Sequence, residues 1–388
     1  MADPVRRSKP TIFIVTNFYY PTIGGISTYV NVLANELKRR GFDVGIHTFP
    51  LSIVRREERI GGRKSHRLAH ELMVALFTVY LIADILALRF RGRRVIVHSQ
   101  SASFCLGVGV FARILGASTI HTFHSPINRC SLRLKVLLPF AEELVYVSEE
   151  HRQMYSSHCR IPADAPIVPG GVDCDFYSIP SPEERTQAHA ELVERLAMGG
   201  RVGPIVLFVG RVVKEKGVDV LFDAADTVWK RIPDAAFVVV GPTDSSTVQA
   251  EQIRDLRLRL KPAMHFYLTG MMDSRWLRET YRASDIMVCP SMWEEGSPMV
   301  VVEAMASGLP IVASCIGGLK SRVIDGVNGR LVKPGDSNEL AAAIIEIVSN
   351  PSKMTSMGRE SRQLAAAEFS DDAMADRYEH LYRELADF

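Results

Sequence analysis

Short runs of apolar residues alternate along the chain with longer segments in which apolar residues recur at helical spacing. In the first half the apolar runs are TIFIVT (11–16), FDVGIHTF (42–49), VIVHS (95–99), STIHTF (118–123), LVYVS (144–148) and PIVPGG (166–171). Runs of this length and composition are typical of strands covered on both faces, and the intervening segments are long enough for crossover helices. The pattern predicts a doubly wound α/β domain with a mostly parallel sheet.

The same alternation restarts after a polar segment, SPEERTQAHAELVERLAMGGRVG, which we expect to be largely helical. The later runs are PIVLFVG (204–210), AFVVVG (236–241), HFYLTG (265–270), DIMVCPS (285–291), LPIVAS (309–314) and GRLV (329–332). A chain of 388 residues also exceeds the roughly 250–300 residues at which a single core stops growing. The pattern therefore predicts a second domain of the same class.

Turn residues in SIPSPEE and GGRVG place the boundary between these domains near residues 180–200. We predict an N-terminal Rossmann-like domain over 1–185, a second over 186–370, and a terminal helix over 371–388 that packs back toward the first domain. Ligands of open parallel sheets bind at the carboxyl ends of the strands. Two such domains are expected to face each other across a binding cleft.

One helix start carries more chemical information than any other segment. After the apolar run that ends at residue 291, the chain continues WEEGSPMVVVEAMASGLP. Ser297 is predicted to be the N-cap, Pro298 the first helical residue, and Gly308 the stop. The first free N–H groups, from about Met299 and Val300, would then favour an anion in front of the helix, and a phosphate is the natural occupant.

Two glutamates flank this predicted helix start. Glu303, one turn into the helix, can accept hydrogen bonds from paired hydroxyls such as those of a ribose, and Glu295 can accept from a second polyol. Phosphate, ribose and sugar together describe a nucleotide sugar. The alternatives are a solvated acidic loop before an ordinary core helix, or the acid and base of a glycosidase; the phosphate-facing helix favours donor binding over the latter.

Composition limits the classes of partner and compartment. A formal net charge of +2 argues against general polyanion binding, so no nucleic-acid partner is expected. The six cysteines show neither a CxxC pair nor a framework spacing, which favours a reducing cytoplasm. The N-terminal TIFIVTNFYYPTIGG is broken by Pro21 and two glycines, which is unlike a signal peptide. We expect a cytoplasmic protein.

Three sequence motifs suggest a chemistry that their context in the chain does not support. Asp173-Cys174-Asp175 resembles a metal-binding DxD triplet but follows PGGV in a predicted turn. GVGVFA (107–112) matches a dinucleotide fingerprint, yet it does not open a helix after a strand, so we interpret it as close helix packing. His66 and His70 have i, i+4 spacing without a third ligand nearby. No metal site and no cofactor is predicted.

Over nearly its whole length the chain resembles the nucleotide-sugar glycosyltransferases of the GT-B fold, and among them the retaining group numbered four, also called glycosyl transferases group 1. The C-terminal half carries the resemblance through FVGRVVKEKGVDVL, VVVGP, LTGMM, YRASDIMVCPS, EEGSPMVVVEAMASGLPIVAS, GGLKSRVIDGVNGRLVKPGD and ELAAAI. The N-terminal half resembles the family more loosely, through YPTIGGISTYVNVLANELKRRGFDV, HTFHSP, VYVSE and PGGVD.

The resemblance implies roles for particular residues. Arg211 and Lys216 would neutralise the leaving diphosphate in place of a metal ion, His124 would contact the transferred sugar, and Gly270 would lie near the base; His98, at a strand end, is a less decisive candidate. The predicted catalytic set is His124, Arg211, Lys216 and Glu295. The predicted donor-binding set is Gly24, Gly25, Gly210, Arg211, Lys216, Gly270, Glu295, Gly296, Ser297, Met299, Val300 and Glu303.

The resemblance further implies that the first domain binds the acceptor and the second binds the nucleotide sugar. It also implies a retaining transfer of a hexose, with a UDP-sugar favoured and a GDP-sugar as the alternative donor. The acceptor would belong to a polysaccharide, a glycolipid or another cell-envelope glycan, or would instead be a small molecule. The chain departs from the family where Gly317-Gly318-Leu319-Lys320-Ser321 replaces Gly-Gly-x-Pro-Glu and where Gly170 replaces an asparagine. Two other classes stay open: a pyridoxal-phosphate phosphorylase of this fold, and a relative that binds without catalysis.

A basic segment, RREERIGGRKSHR (55–67), leads into an apolar stretch that ends in RGRR (91–94). Charged residues interrupt that stretch, so a membrane-spanning helix is not expected. It is either a helix that covers the first domain or a peripheral contact with anionic lipid at the cytoplasmic face of a membrane, in which Arg63, Lys64 and Arg67 would meet the headgroups.

Overall fold

The computed structural model describes residues 9–17, 19, 24–48, 63–100, 103–127, 129–199, 202–242, 259 and 265–386, with the side chains of 63–76 and 103–104 excepted. The chain forms two compact units, residues 1–171 with 371–388 and residues 172–370. The division falls after Gly171, earlier than the predicted residue 185. The cause is local: the backbone N–H of Val172 donates to Phe369 within the second unit, 2.9 Å away.

The first unit contains a five-stranded parallel sheet in the order β2-β1-β3-β4-β5. The observed alternation of strands and helices confirms the predicted doubly wound class. In chain order its elements are β1 (Thr11–Thr16), α1 (Gly25–Arg39), β2 (Asp43–Thr48), α2 (Arg63–Phe90), β3 (Val95–Gln100), α3 (Ser103–Ile114), β4 (Ser118–Phe123), α4 (Leu132–Leu137), β5 (Glu143–Tyr146) and α5 (Glu149–His158).

The second unit contains a six-stranded parallel sheet in the order β11-β10-β9-β6-β7-β8. The strand order reverses between β6 and β9, and this switch point is where open α/β sheets bind ligands. Its elements are α6 (Pro182–Arg195), β6 (Ile205–Val209), α7 (Val218–Trp229), β7 (Ala236–Val240), β8 (Phe266–Gly270), α8 (Ser274–Ala283), β9 (Ile286–Cys289), α9 (Met299–Ala306), β10 (Ile311–Ser314), β11 (Gly329–Val332), α10 (Ser337–Val348) and α11 (Pro351–Glu368).

Strand β6 shows why its residues must all be apolar. Ile205, Leu207 and Val209 belong to the core on one face of the sheet, whereas Val206 and Phe208 belong to the core on the other face. Because successive side chains of a strand point to opposite faces, a strand covered by helices on both sides needs a continuous apolar run.

The predicted strand at 166–171 is wrong. Only Ile167 pairs, through a single isolated bridge to Tyr146. Pro166 and Pro169 lack the backbone N–H that a ladder requires, so the segment is extended without becoming a strand.

The C-terminal helix α12 (Asp371–Ala386) packs into the core of the first unit. The hydroxyl of Tyr378 lies 2.6 Å from that of Tyr29 on α1, and the hydroxyl of Tyr382 lies 2.7 Å from Nδ1 of His98 on β3. Arg40, after α1, also donates to the carboxylates of Asp372 and Asp376. Two buried tyrosines and this cluster of ion pairs therefore attach α12 to α1 and β3.

Cys130 and Cys159 form a disulfide, with their Cα atoms 5.4 Å apart. This pairing was not predicted, because the two cysteines are 29 residues apart and their proximity depends on how the loop after β4 meets the end of α5. Spacing along the chain contains no signal for it.

The motifs that the sequence analysis set aside have structural explanations where the structure describes them. GVGVFA lies inside α3, where a Cβ on Gly109 would be 3.2 Å from Oγ of Ser99, as expected for close packing of helix on strand. One carboxylate oxygen of Asp173 accepts from the backbone N–H groups of Asp175 and Phe176. The side chains of His66 and His70 lie outside the described residues.

Candidate functional site

The sheet of the second unit brings two of the predicted loops together. Strands β6 and β9 are paired neighbours at the switch point. The loop after β6 carries Gly210, Arg211 and Lys216 into α7, and the loop after β9 carries residues 290–298 into α9. Because both strands are parallel, the two loops emerge at the same edge of the sheet.

Backbone contacts fix these loops against each other. The N–H of Met292 donates to the carbonyl of Glu215 at 2.8 Å. Gly217 has a left-handed φ of 70°, and a Cβ built on it would lie 1.9 Å from the carbonyl oxygen of Pro290. Only glycine meets both conditions.

Gly217→Ala is therefore expected to lower the free energy of unfolding by roughly 3 kcal/mol. An alanine in the left-handed conformation costs about 1–2 kcal/mol, and overpacking against Pro290 costs about 1–3 kcal/mol. Gly326→Ala is the matched control, because Gly326 has a φ of 78° but no atom within 4 Å of an added Cβ. The control isolates the conformational cost. The midpoint of urea unfolding measures the loss of stability in each variant. Equal losses in Gly217→Ala and Gly326→Ala would show that the Pro290 contact does not constrain the loops.

Lys216 and Glu295 form an ion pair across the two loops. Nζ of Lys216 lies 2.5 Å from Oε1 of Glu295, and Oγ of Ser291 donates to the same oxygen at 2.5 Å. Both charged side chains are partly buried. An ammonium has three donors, so two remain for the oxygens of a diphosphate.

Arg211 begins the same loop as Lys216, and its side chain is exposed. Among the described residues it forms no ion pair with a carboxylate. Its guanidinium thus retains its donors for an anion at this edge of the sheet.

The predicted N-cap of the phosphate-facing helix is wrong by one residue. Pro298 is the N-cap of α9 and Met299 its first residue. The hydroxyl of Ser297 instead accepts from Nη2 of Arg322 at 2.9 Å. The N–H of Val301 donates to the carbonyl of Pro298 at 3.1 Å. Within the described part of the chain the amides of Met299 and Val300 have no acceptor, and so the first turn can still bind an anion.

The predicted helix stop is confirmed at the other end of α9. Gly308 follows the C-cap Ser307 and has a left-handed φ of 77°. This is the conformation for which glycine is favoured after a helix.

Arg322 is a site residue that the sequence analysis missed. It is 1% exposed, and Nη1 donates to the carbonyl of Gly318 at 3.2 Å and to the hydroxyl of Ser321 at 2.5 Å. Together with the bond to Ser297, these contacts join the loop before α9 to the 3₁₀ turn at 317–319. Arg322 lies inside the matched motif GGLKSRVIDGVNGRLVKPGD, but the motif does not show that its side chain will be buried.

The 3₁₀ turn also contacts the loop of Glu295 directly. The N–H of Gly318 donates to the carbonyl of Glu295 at 2.6 Å, and a Cβ on Gly318 would lie 2.1 Å from the carbonyl oxygen of Gly296. The segment in which the chain departs from the family pattern therefore adjoins the candidate site, and its Lys320 is exposed.

Glu303 lies on α9 and is 7% exposed. The hydroxyl of Tyr281, on α8, donates to Oε2 of Glu303 at 2.9 Å and lies 3.2 Å from the carbonyl oxygen of Val300. Burial raises the pKa of the Glu303 carboxyl to about 7, against a smaller lowering by the Tyr281 hydrogen bond. Glu303 can therefore change charge near neutral pH. Tyr281 begins the matched motif YRASDIMVCPS, but its role was not predicted, because the sequence does not show that its hydroxyl reaches Glu303 on another helix.

Glycines lie at the carboxyl ends of β6, β7 and β8. The N–H of Gly210 donates to the carbonyl of Val240, and the N–H of Gly241 donates to the carbonyl of Gly270, both at 2.9 Å. A Cβ on Gly241 would lie 1.8 Å from the carbonyl oxygen of Gly210. Gly210 and Gly270 thus lie at the same edge as the two loops. Donor binding by Gly210 and the position of Gly270 near the base stay predictions.

His124, Gly24 and Gly25 belong to the first unit. His124 is half-buried directly after β4, and its Nε2 lies 2.5 Å from Oε1 of Gln100, with the Tyr29 ring edge-on at 4.5 Å. Burial lowers the pKa of His124 to about 3, so the ring is neutral. Donation to Gln100 leaves Nδ1 as an acceptor.

Gly24 is the N-cap of α1 and Gly25 its first residue, and a Cβ on either would meet no atom within 4 Å. The preceding residues 20–23 lie outside the described residues. The role of both glycines stays a prediction.

His98 has a structural environment. It is fully buried, with Nδ1 2.7 Å from the Tyr382 hydroxyl and Nε2 2.8 Å from the Thr122 hydroxyl. Nε2 of Gln100 also lies 2.9 Å from Nε2 of His98. Because its ring nitrogens are occupied inside the unit, His98 supports the fold and positions Gln100 beside His124.

Comparison with known proteins agrees with this geometry. The family model described as glycosyl transferases group 1 matches residues 202–364, and the model described as glycosyltransferase family 4 matches residues 23–176. The first contains the two loops and α9, and the second contains most of the first unit's sheet.

The chain is similar to two curated relatives over different lengths. A GDP-mannose-dependent alpha-(1-6)-phosphatidylinositol monomannoside mannosyltransferase of Mycolicibacterium smegmatis is 25% identical, over 91% of this chain and 93% of the relative. A D-inositol 3-phosphate glycosyltransferase of Nocardia farcinica is 31% identical, over 60% of this chain and 50% of the relative.

Among solved structures, Anabaena Alr3699/HepE in complex with UDP superposes with a TM-score of 0.75 at 18% identity, over 97% of this chain and 100% of that one. This likeness shows the fold. The two parallel-sheet units, the two family models and the named relatives agree, and the chain belongs to the GT-B glycosyltransferases of family four, glycosyl transferases group 1.

Proposed function

We propose that this enzyme transfers a hexose from a nucleoside-diphosphate sugar to an acceptor hydroxyl with retention of anomeric configuration. One observation carries the proposal: the loop with Arg211 and Lys216 is bonded to the loop that leads into α9, at the switch point of the second unit, and Glu303 lies one turn into α9. Two cations and free amides suit a diphosphate, and a carboxylate one helical turn away suits the vicinal hydroxyls of a ribose.

Each group then has a separate role toward the donor. Lys216 and Arg211 meet the negative charge that grows on the leaving diphosphate, the part that a metal ion performs in other transferases. The amides of Met299 and Val300 hold a phosphate oxygen, and Glu303 accepts from the ribose. Glu295, oriented by Lys216 and Ser291, accepts from hydroxyls of the sugar.

The reaction needs no side-chain nucleophile. The bond between the acceptor oxygen and the anomeric carbon forms as the bond to the diphosphate oxygen breaks, on the same face of an oxocarbenium-like sugar. The acceptor proton passes to the departing phosphate, and the products are a glycoside and a nucleoside diphosphate. The protein supplies orientation and fixed charge, with neutral His124 beside the sugar as the predicted contact.

The relatives support two kinds of donor and two kinds of acceptor. The relative that aligns over 91% of this chain is named for GDP-mannose and a phosphatidylinositol glycolipid, whereas Alr3699/HepE was solved with UDP. We propose a UDP- or GDP-hexose donor and a glycolipid or other envelope-glycan acceptor. A small-molecule acceptor is the second candidate, because other relatives are named for D-inositol 3-phosphate.

Screening UDP- and GDP-sugars by thermal shift, and then testing acceptors with the best donor, examines this proposal. We expect one nucleotide family to raise the melting temperature and its sugar to be transferred with the donor's anomeric configuration, read from proton coupling constants. An inverted product would contradict the retaining assignment. A pyridoxal-phosphate absorbance band in the purified protein would instead support the phosphorylase class.

Turnover is expected to continue in excess chelator, because Arg211 and Lys216 are proposed to perform the electrostatic role of a metal. Initial rates with and without chelator, at saturating donor, measure this. Activity that disappears in chelator and returns with manganese would contradict the prediction and would direct attention to Asp173 and Asp175.

A further inference from the structure

Two helices of the first unit expose large apolar side chains on one surface. Ile114 on α3 is 75% exposed and Leu132 on α4 is 78% exposed. We call the exposed set Phe111, Ile114, Leu132, Val136 and Phe140 the α3–α4 patch; each of its members is more than half exposed.

Contacts between the helices make the patch continuous. Phe111, Leu132 and Val136 line one groove of about 590 Å³, together with Thr78 of α2. Nη1 of Arg113 donates to the carbonyl of Phe140 at 3.0 Å, which brings the segment three residues after α4 to the end of α3.

The fold does not require these apolar residues to point outward. The core contacts of α3 and α4 are made by other positions, among them Leu106, Val108 and Leu134, which are buried. A helix on the surface of a water-exposed domain normally places polar residues opposite its buried face. Contiguous exposed apolar residues therefore indicate an interaction surface.

The charge around the patch identifies the kind of surface that it fits. Residues 77–142 contain eight arginines and lysines but only two acidic residues, although the whole chain carries a formal charge of only +2. Six of these basic residues are exposed and form no ion pair with a carboxylate elsewhere in the described chain: Arg89, Arg91, Arg113, Arg129, Arg133 and Lys135. Three of them belong to the helices of the patch, Arg113 on α3 and Arg133 and Lys135 on α4, and Arg133 lines the same groove. An apolar patch with cations on the same helices complements an anionic lipid surface.

We propose that the α3–α4 patch docks on a bilayer that contains anionic lipid. Phe111, Ile114 and Leu132 enter the boundary between headgroups and acyl chains, and Arg133 and Lys135 meet lipid phosphates. Among the described residues no helix has the length and hydropathy to span a bilayer. A second copy of this chain is disfavoured, because pairing the patch with itself would bring Arg113, Arg133 and Lys135 of two copies together.

This surface differs from the one that the sequence suggested. The segment 55–67 falls partly outside the described residues, and the side chains of Arg63, Lys64 and Arg67 are not described. The α3–α4 patch lies farther along the chain. It is independent of the donor site, which belongs to the second unit, so either proposal can fail alone.

Co-sedimentation of the full chain with vesicles tests the docking. Vesicles of equal parts phosphatidylcholine and phosphatidylglycerol should bind the protein at low salt and release it at high salt, and pure phosphatidylcholine should bind it weakly. Ile114→Gln with Leu132→Gln should lower the partition coefficient at least about tenfold, because two half-buried apolar side chains are lost. Arg133→Gln with Lys135→Gln should lower it about thirtyfold at low salt.

Matched controls separate docking from general effects. Ile324→Gln replaces an exposed apolar residue of the second unit, and Lys230→Gln with Arg359→Gln removes two exposed cations there; neither should change the partition coefficient. Circular dichroism and nucleotide binding check that the patch variants fold. Absence of binding to anionic vesicles at low salt, patch variants that bind like wild type, or a wild-type dimer that Ile114→Gln dissociates would overturn the proposal.

Discussion

Lys216→Ala and Arg211→Ala are each expected to lower kcat by about 10²–10³, while binding of the intact donor weakens less. Charge on the leaving diphosphate grows toward the transition state, so a cation fixed beside it stabilises that state more than the ground state. Lys216 is fixed by Glu295 and by the Gly217–Pro290 contact. Rates at saturating donor, compared with calorimetric dissociation constants, separate the two effects.

Two controls accompany this prediction. Lys214→Ala removes an exposed lysine from the same loop and should leave kcat near wild type. Because Lys216→Ala leaves the partly buried Glu295 without its cation, Lys216→Ala combined with Glu295→Gln should recover stability but not turnover. A single variant that keeps the wild-type kcat would remove that residue from the electrostatic role.

Glu303→Ala is expected to weaken nucleoside diphosphate binding by roughly 1–3 kcal/mol, or about 5- to 150-fold, because ribose hydroxyls lose their acceptor in a buried position. Glu303→Gln keeps the volume and one acceptor oxygen, so it should bind between wild type and Glu303→Ala. Calorimetric titration measures all three proteins. A dissociation constant unchanged in Glu303→Ala would refute the ribose assignment.

The pH dependence of nucleoside diphosphate binding should follow the protonation of the Glu303 carboxyl. Burial raises the Glu303 pKa to about 7 in the free site, and hydroxyls that donate to the carboxylate would lower it in the complex. Below pH 7 binding must therefore release a proton, and affinity should fall by up to about tenfold per pH unit on acidification. Glu303→Gln should lack this component, and subtracting its profile removes the titration of the ligand's own phosphate, whose second pKa is near 6.

Stability gives an independent check of the Glu303 pKa. A carboxyl with a raised pKa in the folded state stabilises that state fully below its ordinary pKa, and the contribution is lost as pH rises through about 7. Glu303→Gln should therefore become more stable relative to wild type as pH increases from 5 to 8. A constant difference would show that Glu303 does not titrate in this range.

The sequence predicted those elements that depend on residues close together in the chain. The strands of the second unit and the stop of α9 at Gly308 follow from apolar runs and from glycine's tolerance of a left-handed φ. Ordered motifs identified the loops after β6 and β9, and parallel strand order places these loops together without further information.

What the sequence missed depends on contacts between distant segments. The hydroxyl of Ser297, the predicted N-cap, accepts a hydrogen bond from Arg322. Tyr281 bonds to Glu303 from another helix. The Cys130–Cys159 pairing and the exposed face of α3 also depend on how neighbouring helices pack. In each case spacing along the chain shows the residue but not its partner.

The central claim is that the second unit binds a nucleotide sugar and that Lys216 promotes departure of its diphosphate with retention. The most direct measurement follows UDP- and GDP-hexoses by proton NMR in the presence of the full chain, with Lys216→Ala alongside. The account predicts that one donor releases its nucleoside diphosphate, that the first sugar formed has the donor's anomeric configuration, and that Lys216→Ala slows this release by about 10²–10³. Release with inverted configuration, or release at the wild-type rate in Lys216→Ala, would contradict it.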